Sequence, residues 1–243
     1  MIIARNITKT YKPDPKEVLS KVSLQIDDGE FVAIVGGSGS GKTTLLRCLS
    51  LQDEWDSGQL IVNGKDAGKL GSIGKWGVRR RWVFIEEKPT LDLHATALKN
   101  VARSLLFHSP IRAVAGLVSK NEHMEAMDYL ERVGLLDKAH QKAGQLSGGE
   151  RQRIAVAKAL VQGATMIFAD EPVSGLDPTS AESVMRDLKA IGKREQITIV
   201  ATLHRLDLAE RYATRILGVR EGRVVVDIPG RALDERERGL IFG

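Results

Sequence analysis

Short runs rich in Val, Ile, Leu and Phe punctuate the chain at residues 22–26, 31–35, 82–85, 165–169, 197–201 and 215–219. Runs of this length and composition predict strands. Helix-length segments lie between several of them, at 42–51, 151–161 and 180–191. In the last, Val184, Leu188 and Ile191 share one helical face. Strand and helix in alternation predict a mainly parallel α/β sheet that binds its ligands at the carboxyl ends of the strands.

Two regions depart from that rhythm. Residues 2–32 and 59–63 supply strand patterns with turn signals at Asp28-Gly29 and Asn63-Gly64, which predicts an antiparallel β subdomain beside the α/β core. Residues 95–140 are mostly helical by pattern, and Met124, Met127 and Leu130 fall within one broad face that is expected to pack into a core.

Composition narrows the class. The chain has 243 residues, 42% hydrophobic and 28% charged, the usage of a globular domain. No apolar run approaches the ~18 residues that cross a bilayer, and the start lacks a secretory h-region, so the chain is expected to stay in the cytoplasm. The single cysteine, Cys48, lies in the apolar stretch LLRCLS and is expected to be a packing residue. A net charge of +5 with only 5% aromatic residues offers no evident base-stacking platform. Arg79-Arg80-Arg81 and the mixed-charge tail at 231–238 read as solvated or close to a membrane face.

Three motifs carry chemistry. Gly36-Gly37-Ser38-Gly39-Ser40-Gly41-Lys42-Thr43 directly follows the strand at 31–35 and matches the phosphate-binding loop G-x-x-x-x-G-K-[ST]. Its glycines let successive N–H groups converge on phosphate oxygens, and the next helix adds its positive end. Lys42 is expected to reach the β and γ phosphates and Thr43 to place its hydroxyl on Mg²⁺, with Thr44 available for a phosphate contact. The apolar run Met166-Ile167-Phe168-Ala169 then delivers Asp170 towards the metal and Glu171 towards the water that attacks the γ phosphate. Third, Leu146-Ser147-Gly148-Gly149-Glu150 opens a helix. Ser147 and Glu150 have the spacing of a capping box, and a Gly-Gly pair at a capped helix start is also a place for an anion. One triphosphate reaches both glycine-rich sites only with difficulty, which points to a second copy of the chain.

Together with Ser174-Gly175-Leu176-Asp177 and His204, these motifs resemble the ATP-binding subunit of an ABC transporter, over essentially the whole chain. The resemblance implies an α/β P-loop NTPase core with an antiparallel β subdomain and a helical subdomain at about 95–160, within a single domain of residues 1–243. It implies a head-to-tail homodimer that sandwiches two ATP molecules. Ser147, Gly148 and Gly149 of one copy would face the nucleotide held by the P-loop of the other. By the same resemblance Glu171 looks like the catalytic base, Asp177 like a residue of the loop linking the two sites, His204 like the γ-phosphate switch, and Tyr11 like the aromatic that stacks on adenine. A glutamine that contacts Mg²⁺ is usual between the P-loop and LSGGE. This chain reads VFIEEKPTLDLHATALKNV there, which places Glu87 in that role, or Glu86 if the loop has slipped by one residue.

The segments ADEPVSGLDP and TLHRLDLAERYATRILGVREGRVV are similar to the ATPase subunit of phosphonate importers. That likeness implies separate transmembrane permease subunits, a periplasmic or lipid-anchored solute-binding protein, and a peripheral position on the cytoplasmic face of the membrane. Another ABC system, for lipoprotein release or small-solute export, is the alternative. A soluble ABC protein of ribosomes or DNA is disfavoured by the single cassette and the lack of sustained heptads.

Overall fold

The computed structural model describes residues 1–12, 16–106 and 118–243. They form two compact units, one of residues 1–84, 165–171 and 189–243 and the other of residues 85–164 and 172–188.

The first unit begins with an antiparallel sheet of β1 (Ile2–Thr10), β2 (Glu17–Ile26), β4 (Ser57–Val62) and β5 (Lys65–Asp66), in the order β2-β1-β4-β5. Ile2 pairs with Ile26 on one side and Val62 on the other. The β4–β5 turn is Asn63-Gly64, both at positive φ (47° and 77°), the geometry that twists a two-residue hairpin correctly.

A six-stranded sheet follows, built from β3 (Phe31–Val35), β6 (Trp82–Ile85), β7 (Met166–Asp170), β8 (Thr198–Leu203), β9 (Arg215–Arg220) and β10 (Arg223–Pro229), in the order β10-β9-β3-β8-β7-β6. β3 is parallel to β8 and β9, and β7 is parallel to β8, while β10 returns antiparallel to β9. All residues of β3 and β8 are buried; β3 is apolar throughout, whereas β8 also buries Thr198 and Thr202. Helix α1 (Lys42–Leu49) sets Leu45, Leu46 and Leu49 into a core cluster with Ile34, Phe168 and Val200. Each such side chain stabilises the fold by roughly 1.5–3 kcal/mol. Helices α2 (Ser72–Arg79), α7 (Leu206–Tyr212) and α8 (Glu235–Phe242) complete the unit.

The second unit holds α3 (Ala97–Leu105), α4 (Lys120–Arg132), α5 (Gly148–Val161) and most of α6 (Pro178–Glu195). An ion pair between Arg153 and Asp187, 2.9 Å, ties α5 to α6. Among the described residues no helix is long and apolar enough to cross a membrane.

One expectation needs correction. Met124 is 63% exposed; the buried positions of α4 are Ala126 and Leu130, followed by Val133, so the helical period turns Met124 outward. The mixed-charge tail at 231–238 is largely exposed, as expected, and from Glu235 it forms α8. Asp234 and Glu237 form its capping box, and Arg231 and Arg238 pair with Glu237 and Glu210. Residues 107–117 of the stretch expected to be helical lie outside the described residues.

Candidate nucleotide site

The P-loop leaves the carboxyl end of β3 and enters α1. Two of its glycines are required by what surrounds them. A Cβ on Gly36 would sit 2.2 Å from the Val219 carbonyl oxygen, and one on Gly41, whose φ is 104°, would sit 2.7 Å from that of Val18. The α1 N-terminus has no side-chain cap and no acidic residue in its first turn, so its orphan N–H groups remain available to an anion. Lys42 is buried, and its Nζ donates to the carbonyl oxygens of Gly36 (3.0 Å) and Gly37 (2.9 Å). Burial lowers its pKa, and the charges of Glu171 and Asp170 work against that shift. Among the described residues Ser40 Oγ is buried without a hydrogen-bond partner, an unsatisfied polar atom that a phosphate oxygen would satisfy. The loop, with Thr43, Thr44, Glu171 and His204, lines a cavity of about 260 Å³ that also includes Ser38 and Gly39.

The carboxyl ends of β7 and β8 supply the acidic side. Asp170 Oδ1 accepts hydrogen bonds from Thr43 Oγ1 (3.0 Å) and Thr202 Oγ1 (2.7 Å). Glu171 adopts the left-handed region at φ 49°, an unfavourable conformation for a residue with a Cβ. Its N–H is held by Thr202 Oγ1 at 2.9 Å, and His204 Nε2 lies 2.6 Å from its Oε1. A hydroxyl and a carboxylate 3.0 Å apart are hard oxygen donors of the kind Mg²⁺ takes when substrate phosphates fill most of its octahedron, so the residues present fit that ion. Thr202 was not singled out by the sequence; the structure buries its hydroxyl near the end of β8, two positions before His204.

Tyr11, 42% exposed, belongs to the same unit. Its hydroxyl donates to Asp53 Oδ2 at 2.7 Å, and Lys9 Nζ lies 5.0 Å from the ring centroid. Burial and then the Asp53 hydrogen bond raise its pKa, while the Thr44 hydroxyl acts in the opposite sense.

The remaining candidates lie in the second unit. Ser147 caps α5: its Oγ accepts from the Glu150 N–H (3.2 Å), and its own N–H donates to Glu150 Oε2 (2.7 Å). A Cβ on Gly148 would sit 2.6 Å from Leu176 Cδ2, so a side chain there requires that leucine tip to shift. Gly149 is buried against Ser180 and Val184 of α6. Asp177 accepts from the Ser180 N–H at 3.0 Å, and the Ser180 hydroxyl and N–H hold its carboxyl below the usual range. The backbone after β6 is anchored by Gln152, whose Nε2 donates to the Glu87 carbonyl at 2.8 Å. Glu86 Oε2 is engaged by Thr90 Oγ1 at 2.8 Å. The Glu87 carboxylate makes no hydrogen bond or ion pair among the described residues.

The first unit therefore gathers the P-loop, Asp170, Glu171 and His204 at neighbouring strand ends. Ser147, Gly148, Gly149, Asp177 and Glu87 sit in the other unit.

A family model described as ABC transporter matches residues 19–174. The chain belongs to the ABC transporter family. Among curated ABC proteins it is 42% identical over 232 residues to the phosphonates import ATP-binding protein PhnC of Lactococcus lactis subsp. cremoris, covering 95% of this chain and 94% of that one. It is 40% identical over 244 residues to PhnC of Shouchella clausii, covering 100% and 91%. Among solved ABC structures, the ATP-binding cassette MJ0796, in a dimeric post-hydrolysis state bound to ADP and Pi, matches with a TM-score of 0.79 and 32% identity, over 96% of this chain and 100% of that one. The ABC fold expected from the motifs is thus the fold of the chain, with its antiparallel sheet beside a mainly parallel one.

Proposed function

We propose that the chain is the ATP-hydrolysing subunit of an ABC importer that drives uptake of a phosphonate-type anion through a separate permease. The observation that carries the reading is the meeting of Lys42, Asp170 and the Glu171–His204 pair around the P-loop cavity. The P-loop N–H groups and Lys42 would hold the β and γ phosphates, and the ring of Tyr11 would stack on adenine. Thr43 and Asp170 would hold Mg²⁺, with Glu87 the further carboxylate. The ion, when bound, offsets the charge on the phosphate oxygens. Glu171 would take the proton of the attacking water, and His204, which already fixes the Glu171 carboxylate, would orient it and meet the γ phosphate.

Two copies would share each nucleotide, the second presenting Ser147, Gly148 and Gly149 from its capped helix, and Asp177 would join the two sites. Closure of that homodimer on ATP would move the permease, and hydrolysis would reopen it. The dimeric state of the MJ0796 cassette supports this arrangement. The identity to PhnC proteins over nearly the full chain favours phosphonate import over lipoprotein release or small-solute export. With it come a periplasmic or lipid-anchored solute-binding protein, a peripheral seat on the cytoplasmic face, and no role for nucleic acid.

Glu171→Gln tests the chemistry: nucleotide binding persists, turnover falls about 100-fold or more, and dimer accumulates with ATP in size-exclusion chromatography. Near-normal hydrolysis rejects Glu171 as the base. Recovery from native membranes with a permease and a phosphonate-binding protein tests the transport reading, and recovery with ribosomes or DNA would sink it.

A further inference from the structure

Helix α2 buries none of its own residues. Its two largest apolar side chains, Ile73 and Trp76, are 86% and 55% exposed. Spacings of three and then four place Ile73, Trp76 and Arg80 on one stripe. The opposite face carries Val78, which packs against the core cluster. The helix is thus seated by one side and presents an apolar pair on the other, although Gly74 and Gly77 give it little helical propensity of its own.

Within the segment that carries this stripe the charge is of one sign. From residue 67 to residue 85 the chain carries Lys69, Lys75, Arg79, Arg80 and Arg81 and no Asp or Glu. Two acids from outside reduce the excess: Glu54 pairs with Lys75 at 2.8 Å, and Asp66 lies 3.9 Å from Lys69. Arg79 Nη1 donates to the Leu51 carbonyl. Arg80 makes no hydrogen bond or ion pair among the described residues. An outward indole and a branched aliphatic chain beside the exposed Arg80 suit the headgroup layer of a membrane. There the indole bridges apolar and polar zones while long basic side chains reach lipid phosphates.

We propose that α2 is a lipid-contacting element: Ile73 and Trp76 enter an anionic membrane at headgroup level, and Arg80 with its basic neighbours binds the lipid phosphates. The proposal rests on the reading of the chain as a subunit that works against a membrane, and adds a contact made with lipid itself rather than through the permease.

Flotation of the purified full chain with vesicles tests it. Phosphatidylcholine vesicles holding about 30% phosphatidylglycerol should retain the chain at least about fivefold better than pure phosphatidylcholine, and about 0.5 M salt should abolish the difference. Ile73→Ser/Trp76→Ser and Arg80→Glu should each cut retention about fivefold or more while the basal ATPase rate stays unchanged. Arg80→Glu changes an exposed side chain and keeps the test decisive should the double variant fold poorly. Equal retention of wild type and variants, or of the wild type on both vesicle types, overturns the proposal. So does retention by permease-containing native membranes with none on vesicles; that result gives the helix a protein partner and leaves the peripheral position intact. Loss of ATPase activity in the wild type itself would instead strike at the function.

Discussion

Thr202 makes one hydroxyl serve two acidic neighbours, donating to Asp170 Oδ1 and accepting the N–H of Glu171. Thr202→Val keeps the shape and removes both bonds, taking from the part-buried Glu171 N–H its partner and from Asp170 one of its two donors, at a cost of about 1–3 kcal/mol. We expect turnover to fall about tenfold or more, with little change in the ATP concentration at half-maximal rate. A tenfold change in the latter with turnover intact would assign Thr202 to binding instead. The sequence displayed Lys42, Asp170 and Glu171 because the P-loop spacing and the strand-end acid pair are local patterns. It hid Thr202 because a threonine within ATL is what a strand accepts anyway. Only the β7–β8 register, in which Asp170 and Thr202 are paired residues, makes that hydroxyl part of the site.

At the scale of elements, the cap of α5 gives stability a pH dependence. Burial of Glu150 raises its pKa, but hydrogen bonds from the Ser147 N–H and hydroxyl, with Lys138 nearby, more than offset this and hold it below the ordinary value. A carboxylate whose folded pKa is depressed contributes fully above its unfolded pKa, near 4.3, and loses that contribution as pH falls through the folded value. Glu150→Gln should therefore lower the melting temperature at pH 7, and the gap from wild type should narrow as melting is repeated below about pH 4. A gap independent of pH would remove charge from the account.

The elements themselves were unevenly legible. β3 and β6 have the expected bounds, since a short apolar run between turn residues leaves little choice. Helix α2 was not expected because two glycines and an outward apolar pair fit no amphipathic template. Met124 misled because methionines on a helix attract a core reading, whereas the smaller Ala126 marks the inward face.

For the molecule as a whole, segments from both ends and the middle of the chain build the first unit, so its core opens only when long-range pairing is lost. Cys48 reports on this. It is buried in that core, and burial above all pushes its thiol pKa up to about 12. Alkylation at pH 8, followed by mass spectrometry, should run about 1,000-fold or more slower than for a free thiol and should accelerate sharply at the melting transition. A rate close to that of a free thiol would show that the core around α1 opens readily.

The bonds from Lys42 to the carbonyl oxygens of Gly36 and Gly37 bear on how variants are interpreted. The ammonium closes a ring across the loop that it also equips for phosphate, so one side chain is both staple and ligand. Lys42→Ala removes both roles at once. The activity lost in that variant measures their sum, and separating them requires reading the conformation of the loop, for instance by amide exchange at residues 36–41, alongside nucleotide affinity.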